Sequence, residues 1–333
     1  MRVGLAYDLK TTITGHHDVD DALEEYDSPE TVEIITGALE SRGYEVIKLG
    51  GGVQFLDNIR RVNVDIVFNI AEGRGNYRSR EAQIPAILEM LDIPYTGSDP
   101  QCLSVSLDKA ITKKLAASEG VITPKWLTVS DESEIVQTPW EQFRYPVIIK
   151  PGREGSSKGI RLTSLTHDAG QARAEASRIL ACYGQPAMVE EFIDGDEVTV
   201  GVIGNNPPQV IGIMRVLPKT RMEHFVYSIE VKRDYLNLVD YECPASLRED
   251  VIDGLKSASL KAFKTLGCRD FSRIDFRVDR RGTPYFIEIN PLPGLGSYSD
   301  LIIMGKLMGR AHEEIIGSVL DAALERYPQC ASV

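Results

Sequence analysis

Arg273-Ile274-Asp275-Phe276-Arg277-Val278-Asp279, then Arg280-Arg281-Gly282, then Thr283-Pro284-Tyr285-Phe286-Ile287-Glu288-Ile289-Asn290 is the stretch that decides the fold. Both flanking runs alternate with period two, and the Gly-ended link between them reads as a hairpin turn. Side chains alternate between the faces of a strand. Arg273, Asp275 and Arg277 therefore share one face, and Ile274, Phe276 and Val278 the other. On the return strand Glu288 and Asn290 share a face, opposite Tyr285, Ile287 and Ile289. With Arg281-Gly282 as a two-residue turn, Arg280 pairs Thr283, Asp275 falls opposite Glu288, and Arg273 falls opposite Asn290. A four-residue turn slides the pairing by two and keeps those faces together, whereas a three-residue turn breaks the match. The apolar faces need a core. The polar faces gather two carboxylates and an amide oxygen, a hard-oxygen set suited to Mg²⁺, which keeps waters and bridges phosphates. Taken alone, the same pattern also describes a solvated face with cross-strand ion pairs. Pro291-Leu292-Pro293-Gly294-Leu295-Gly296 favours the site, because such a turn at a strand end presents backbone N–H groups to a ligand.

Working outward, Lys150 closes the apolar strand Val147-Ile148-Ile149 and leads into Pro151-Gly152-Arg153-Glu154-Gly155-Ser156-Ser157-Lys158-Gly159. Its glycines let backbone approach a ligand closely, and successive N–H groups in such a loop form an anion nest. No G-x-x-x-x-G-K-[ST] or G-x-G-x-x-G can be placed in the chain. A Gly/Ser loop is often only a hairpin tip; the strand lysine beside it favours phosphate. A third segment, Met188-Val189-Glu190-Glu191-Phe192-Ile193-Asp194-Gly195-Asp196-Glu197-Val198-Thr199-Val200, sets an acidic turn between two apolar strands. Its carboxylates suit an adenine amino group or ribose hydroxyls, and a plain charged hairpin is the alternative.

The remainder of the chain supplies the frame. Length, 333 residues, suits two or three domains. Strand-like Arg2–Ala6, Tyr44–Leu49 and Ile66–Asn69 alternate with helix, and Ser28-Pro29 caps a helix carrying Val32, Ile35 and Leu39 that Gly43 ends. That is the βαβ pattern of a parallel sheet. A lysine-rich helix over 107–118 precedes strands at Trp126–Val129 and Val147–Lys150 and a helix over Ala169–Leu180. From Ala187 strands are expected to dominate until a closing helix over Glu313–Glu325. Pro218–Pro244 is long, polar and aperiodic, and with Lys219, Arg221, Lys232 and Arg233 it reads as a lid. The expected division is an N-terminal Rossmann-like domain over 1–98, a central lid domain over 99–187 and a catalytic domain over 188–333.

A balance of 37 basic against 49 acidic residues gives a net charge of −12, which argues against nucleic acid as a partner. The five cysteines form no C-x-x-C pair and fit reduced thiols. No apolar run approaches the ~18 residues of a membrane span, and the N-terminal strand is too short for a signal peptide. The expectation is a cytoplasmic protein with no membrane partner. His16-His17 beside Asp18, Asp20 and Asp21 suits either a metal or, better, a polar loop, and Gly50-Gly51-Gly52 reads as a flexible link.

These segments, in this order, resemble the ATP-grasp superfamily and more closely the D-alanine–D-alanine ligases. The match runs from about Phe68 to about Asp300, through Pro94-Tyr95-Thr96-Gly97-Ser98, Asp108-Lys109, Glu154-Gly155-Ser156-Ser157, Cys243-Pro244 and Glu288-x-Asn290-x-x-Pro293-Gly294. The resemblance implies an α/β ATP-grasp fold and an ADP-forming carboxylate–amine ligase, homodimeric, acting through an acyl phosphate on amino-acid substrates. ATP would lie between two antiparallel sheets, with Lys109 and Lys150 on phosphates. Glu154, Gly155 and Ser157 in the loop, with Glu190, Glu191, Ile193 and Glu197, would complete the nucleotide site. Asp275, Glu288 and Asn290 would hold Mg²⁺ or Mn²⁺. Arg273 and the Gly294 amide would stabilise the oxyanion, with Ser156 and Lys232 also catalytic.

The departures concern substrate. These ligases typically carry, after the first strand, a glycine-rich turn with Ser and Glu that grips an ammonium; here Ala6-Tyr7-Asp8-Leu9-Lys10 has neither glycine nor glutamate. Glu72-Gly73 replaces His-Gly, Arg233 replaces a lid tyrosine, and Asp300 after Ser299 replaces an apolar residue. Glu72 or Asp300 on a substrate cation and Arg233 on an anion is one reading; pairing with each other, or facing solvent, is the other. A partner other than two D-alanines is expected, with D-alanine–D-alanine ligation as the alternative.

Overall fold

The computed structural model describes residues 1–13 and 19–330, so the expectation for His16, His17 and Asp18 lies outside the described residues. The first module runs β1 (Arg2–Ala6), α1 (Pro29–Ser41), β2 (Glu45–Gly50), α2 (Gly52–Ile59), β3 (Ile66–Asn69) and α3 (Gln83–Met90). Its parallel sheet has the order β2-β1-β3. Ser28 caps α1 by accepting from the Thr31 amide at 3.2 Å. Gly50-Gly51-Gly52 is not a flexible link but a tight turn: a side chain on Gly51 would come within 2.0 Å of Asp8 Oδ1.

Next come α4 (Pro100–Leu107) and α5 (Lys109–Ser118), followed by β4 (Trp126–Val129), α6 (Glu132–Gln137), β5 (Val147–Pro151), β6 (Leu165–Thr166), α7 (Ala169–Tyr183) and β7 (Ala187–Glu191). The strands make an antiparallel sheet ordered β4-β7-β5-β6. Val147, Ile149, Ala187 and Val189 on one face pack against Ala172, Ala176 and Ile179 of α7. β7, which begins at Ala187, is an interior strand of this sheet. β7 and the next strand, which sequence reading set about one acidic turn, belong to different sheets.

The last part holds β8 (Gly195–Ile203), β9 (Gln209–Pro218), α8 (Ile229–Arg233), α9 (Tyr235–Leu238), β10 (Val239–Glu242), α10 (Glu249–Thr265), β11 (Phe271–Asp279), β12 (Pro284–Asn290), α11 (Asp300–Leu307) and α12 (His312–Arg326). Its sheet order is β10-β9-β8-β11-β12. The expectation that strands dominate here is corrected by α10, whose Val251, Leu255, Ala262 and Phe263 pack beneath Val198, Val200, Ile274 and Phe276. Chain order is also not packing order. Ala116 of α5 joins that core, and Ile315, Ile316, Val319 and Leu320 of α12 pack with Val3, Leu5 and α1 of the first module. Both antiparallel sheets thus carry helices on one face and leave the other face for each other.

The decisive hairpin reaches its expected pairing by another route. Asp279 and Thr283 flank a three-residue turn, Arg280-Arg281-Gly282, with the Gly282 amide donating to Asp279 O at 2.9 Å and φ +93° at Gly282. Such a turn alone would mismatch the faces. A bulge between Asp275 and Phe276 on one side and Glu288 and Phe286 on the other restores Asp275 opposite Glu288 and Arg273 opposite Asn290. Ile287 is the extra residue. It lines a cavity beside Glu288 instead of entering the core, which Phe286 and Ile289 fill.

Candidate active site

Two cavities meet between these sheets. The first is walled by Ile148, Lys150 and Glu190 from one sheet and by Glu197, Thr199, Asp275, Arg277 and Glu288 from the other, with Phe192, Ile193, Val226 and Tyr227 adding apolar surface. The second, about 340 Å³, is polar and is lined by Glu24, Glu25, Asp27 and Glu72 of the first module together with Ser156, Arg233, Asn290, Gly294 and Ser299. Lys232, Arg273 and Asp300 line both. A narrow extension holds Lys109, Glu154 and Gly155 against Glu288 and Asn290. Sequence reading nominated Ser157 and Glu191 as well, and both lie on the first cavity.

Charge is dense and largely paired. Arg273 lies 2.8 Å from Asp275 Oδ2 and 3.2 Å from Asp300 Oδ2. Burial would lift the Glu288 carboxyl, but Lys109, 2.8 Å away, with Lys150 and Arg273 holds it down at about 2. Burial raises Asp275, Arg273 opposing and Glu288 adding to it. Lys150 sits 2.6 Å from Glu190 Oε2, and Lys113 lies 2.5 Å from Oε1, close enough for an ion pair though off hydrogen-bond alignment. Burial, aided by Lys150 and resisted by Glu190, pulls Lys113 down to about 8. Lys232 is likewise lowered, first by burial and then by Arg273.

The loop after β5 bends through left-handed backbone at two serines. Ser156 and Ser157 have φ of +51° and +59°, an uncommon left-handed pair that turns successive amides the same way. Over it lies the segment 218–244, which is not aperiodic throughout: β10 pairs with β9, and α8 and α9 carry Lys232 and Arg233. Tyr227 O accepts from Ser157 Oγ at 3.1 Å, and Ile229 N donates to Ile160 O at 3.0 Å, so this segment is folded down over the loop.

The model of the D-ala D-ala ligase C-terminus family matches residues 115–321. The D-alanine–D-alanine ligase of Carboxydothermus hydrogenoformans is 32% identical over 305 residues, covering 89% of this chain and 93% of that one. The chain belongs to the D-alanine–D-alanine ligase family. An uncharacterised protein of Sinorhizobium fredii is also 32% identical, over 304 residues and 88% of this chain. In fold the ligase matches the Bacillus anthracis D-alanine–D-alanine ligase complexed with ATP, TM-score 0.72 at 20% identity with 99% of each chain covered. The VanG D-Ala:D-Ser ligase of Enterococcus faecalis has the same TM-score at 20% identity. The protein is thus an ADP-forming, ATP-dependent ligase of ATP-grasp fold, a class that uses ATP and a divalent metal. Two carboxylates and an amide oxygen on one face have the donor chemistry such a metal takes.

Several nominated side chains of the ligase are engaged inside the protein. Glu154 is held by Arg80, Lys158 and Gln185, so the loop meets the cavity through its backbone and serines. Glu197 pairs with Arg277 at 2.6 Å, and Glu190 with its two lysines. Among the three substrate departures, Asp300 pairs with Arg273, and Arg233 pairs with Asp20 and Glu24 at 2.8 and 2.6 Å. Those two pair with other protein residues rather than with each other, and Glu72 has no partner among the described residues. Missed altogether were Lys113, Glu24, Glu25 and Asp27. Lys113 stands one helical turn from Lys109, a spacing that offered the only hint.

Proposed function

We propose that this ligase phosphorylates the carboxylate of an amino acid and passes the acyl group to an amine, forming an amide from a pair other than two D-alanines. The observation that carries this reading is the junction: Lys232, Arg273 and Asp300 line both cavities, so a phosphate in one and a carboxylate in the other would meet between a lysine and an arginine. In the first step a carboxylate oxygen attacks the γ-phosphorus as the bond to the ADP oxygen breaks. In the second the amine attacks the acyl carbon, and phosphate leaves with the former carboxylate oxygen. Neither step needs a nucleophilic side chain; both need fixed positive charge on spreading oxygens. Lys109, Lys150 and Lys232 would serve the phosphates, and Arg273 with the Gly294 amide would serve the oxyanion. Asp275, Glu288 and Asn290 would hold Mg²⁺ or Mn²⁺, which supplies charge neutralisation to the phosphates. The lid segment excludes water from the acyl phosphate.

The acidic wall of the second cavity supports a partner other than alanine. Several relatives are D-alanine–D-alanine ligases, which favours the second reading, D-alanine–D-alanine ligation. ADP release across a panel of amino acids separates the two, and hydroxylamine tests the intermediate. An accepted acid should yield a hydroxamate; ADP release with no hydroxamate would overturn the acyl-phosphate route. Turnover with D-alanine alone, above every other acid, would install the second reading.

A further inference from the structure

The carboxylates around the polar cavity divide into those with partners and those without. Glu24 belongs to Arg233, Asp300 to Arg273, and Glu25 to Arg80, whose guanidinium lies 2.7 Å from it. Asp27 and Glu72 have no hydrogen-bond or ion-pair partner for their carboxylates among the described residues, yet both line the cavity. Asp27 is 9% exposed, so the residue is nine-tenths out of water while lining this cavity. The two face the same cavity, and the charge of Asp27 is among those that act on Glu72. Lys10, on the same wall, acts on Asp27 through space without forming an ion pair, and Arg74 is spent on Asp8 at 2.9 Å.

A lone buried carboxylate is costly, and two side by side cost more. Here burial, with Asp8 adding and Lys10 opposing, lifts Asp27 to about 8, and burial with Glu81 and Glu25 lifts Glu72 well above its usual range. Burial thus favours the protonated form of both groups, and a cation bound between them would favour the charged form. The α-ammonium of one amino acid offers a single charge. Two carboxylates on one cavity, neither in an ion pair among the described residues, match two.

We propose that Asp27 and Glu72 form a cation subsite, so that the amino acid held in this cavity is a diamino acid with a second ammonium on its side chain. This rests on the ligase reading above and narrows its substrate class. A cavity of about 340 Å³ lies at the small end of ligand sites, which favours a side chain of few carbons.

The test is ADP release by the full chain with ATP and Mg²⁺. Acids offered are 2,3-diaminopropionate, 2,4-diaminobutyrate, ornithine and lysine in both configurations, each against the neutral amino acid of equal length. One diamino acid should exceed its neutral counterpart by about tenfold or more in kcat/KM, the scale of a charge-assisted contact. In Asp27→Asn and Glu72→Gln that ratio should fall toward one, with ATP affinity, read at the other cavity, reporting that the variants are folded. ADP release that favours neutral acids, or a ratio untouched by either substitution, overturns the cation subsite and leaves the ligase reading standing. Absence of ADP release and of hydroxamate with every acid overturns both.

Discussion

At Asp27 a carboxyl is kept where ionisation is opposed by burial and by Asp8, and its pKa stands at about 8. In the unfolded chain the same group ionises near 4. Between those values the native state holds a proton that the unfolded state has lost, so stability from this group is intact below about pH 4 and falls as pH rises toward 8. Asp27→Asn removes that penalty. Thermal melts should show the variant stabilised at pH 8, on the order of 2–4 kcal/mol, and nearly level with the parent at pH 4. A gain of equal size at both pH values would mean that ionisation is not its source. Such a group was hard to find in sequence. Asp27 ends an acidic run, Asp20-Asp21-Ala22-Leu23-Glu24-Glu25-Tyr26-Asp27, in which nothing local distinguishes the one that will be held beside Asp8 and line a cavity with Glu72. Lys150 was legible because an apolar strand and a glycine-rich loop stand on either side of it.

At the scale of elements, periodicity carried strands and capped helices well, and what it missed had weak or long-range causes. The inward face of α10 includes the small Ser259 and Ala262, and Gly254, a poor helix former, lies within the helix, so the sequence signal is weak. β7 and β8 read as one hairpin because each is a good strand; which sheet a strand joins depends on residues distant in sequence. In the decisive hairpin, parity was right at Asp275 and Glu288 only because a bulge cancels an odd turn. That turn depends on Gly282, where φ is +93° and an added Cβ would lie 2.7 Å from Val251 Cγ2. Gly282→Ala should therefore cost about 1–2 kcal/mol in denaturant unfolding through strain and overlap. It should also depress ligase activity beyond the change in folded fraction, because a slipped register carries Glu288 off the site face. An unchanged unfolding midpoint would show that this turn does not set the register.

For the whole molecule, the nucleotide-type cavity is made by two sheets, but the polar cavity is complete only when the first module and the lid segment both reach it. Arg233, at the end of α8, joins them by pairing with Asp20 and Glu24. Its side chain is 37% exposed, and such pairs contribute at most about 1 kcal/mol to stability. Their effect on closure should be larger than their effect on melting, because among the described residues no other hydrogen bond or ion pair ties the lid to the first module. Arg233→Ala should melt within a few degrees of the parent. It should raise KM for the amino acid about three- to tenfold, as a site whose lid is less often closed loses affinity in proportion to the closed fraction. Trypsin supplies an independent reading, since Lys219 and Arg221 stand at the start of the lid. Cleavage there should be faster in the variant, and ATP with substrate should slow it less. Salt gives the converse: about 0.5 M NaCl screens exposed pairs, so the parent should shift toward the behaviour of the variant. If KM and the cleavage rate both stay at parental values, Arg233 is a surface ion pair with no part in closing the site, and the hold on the lid lies with Tyr227 and Ile229 on the serine loop alone.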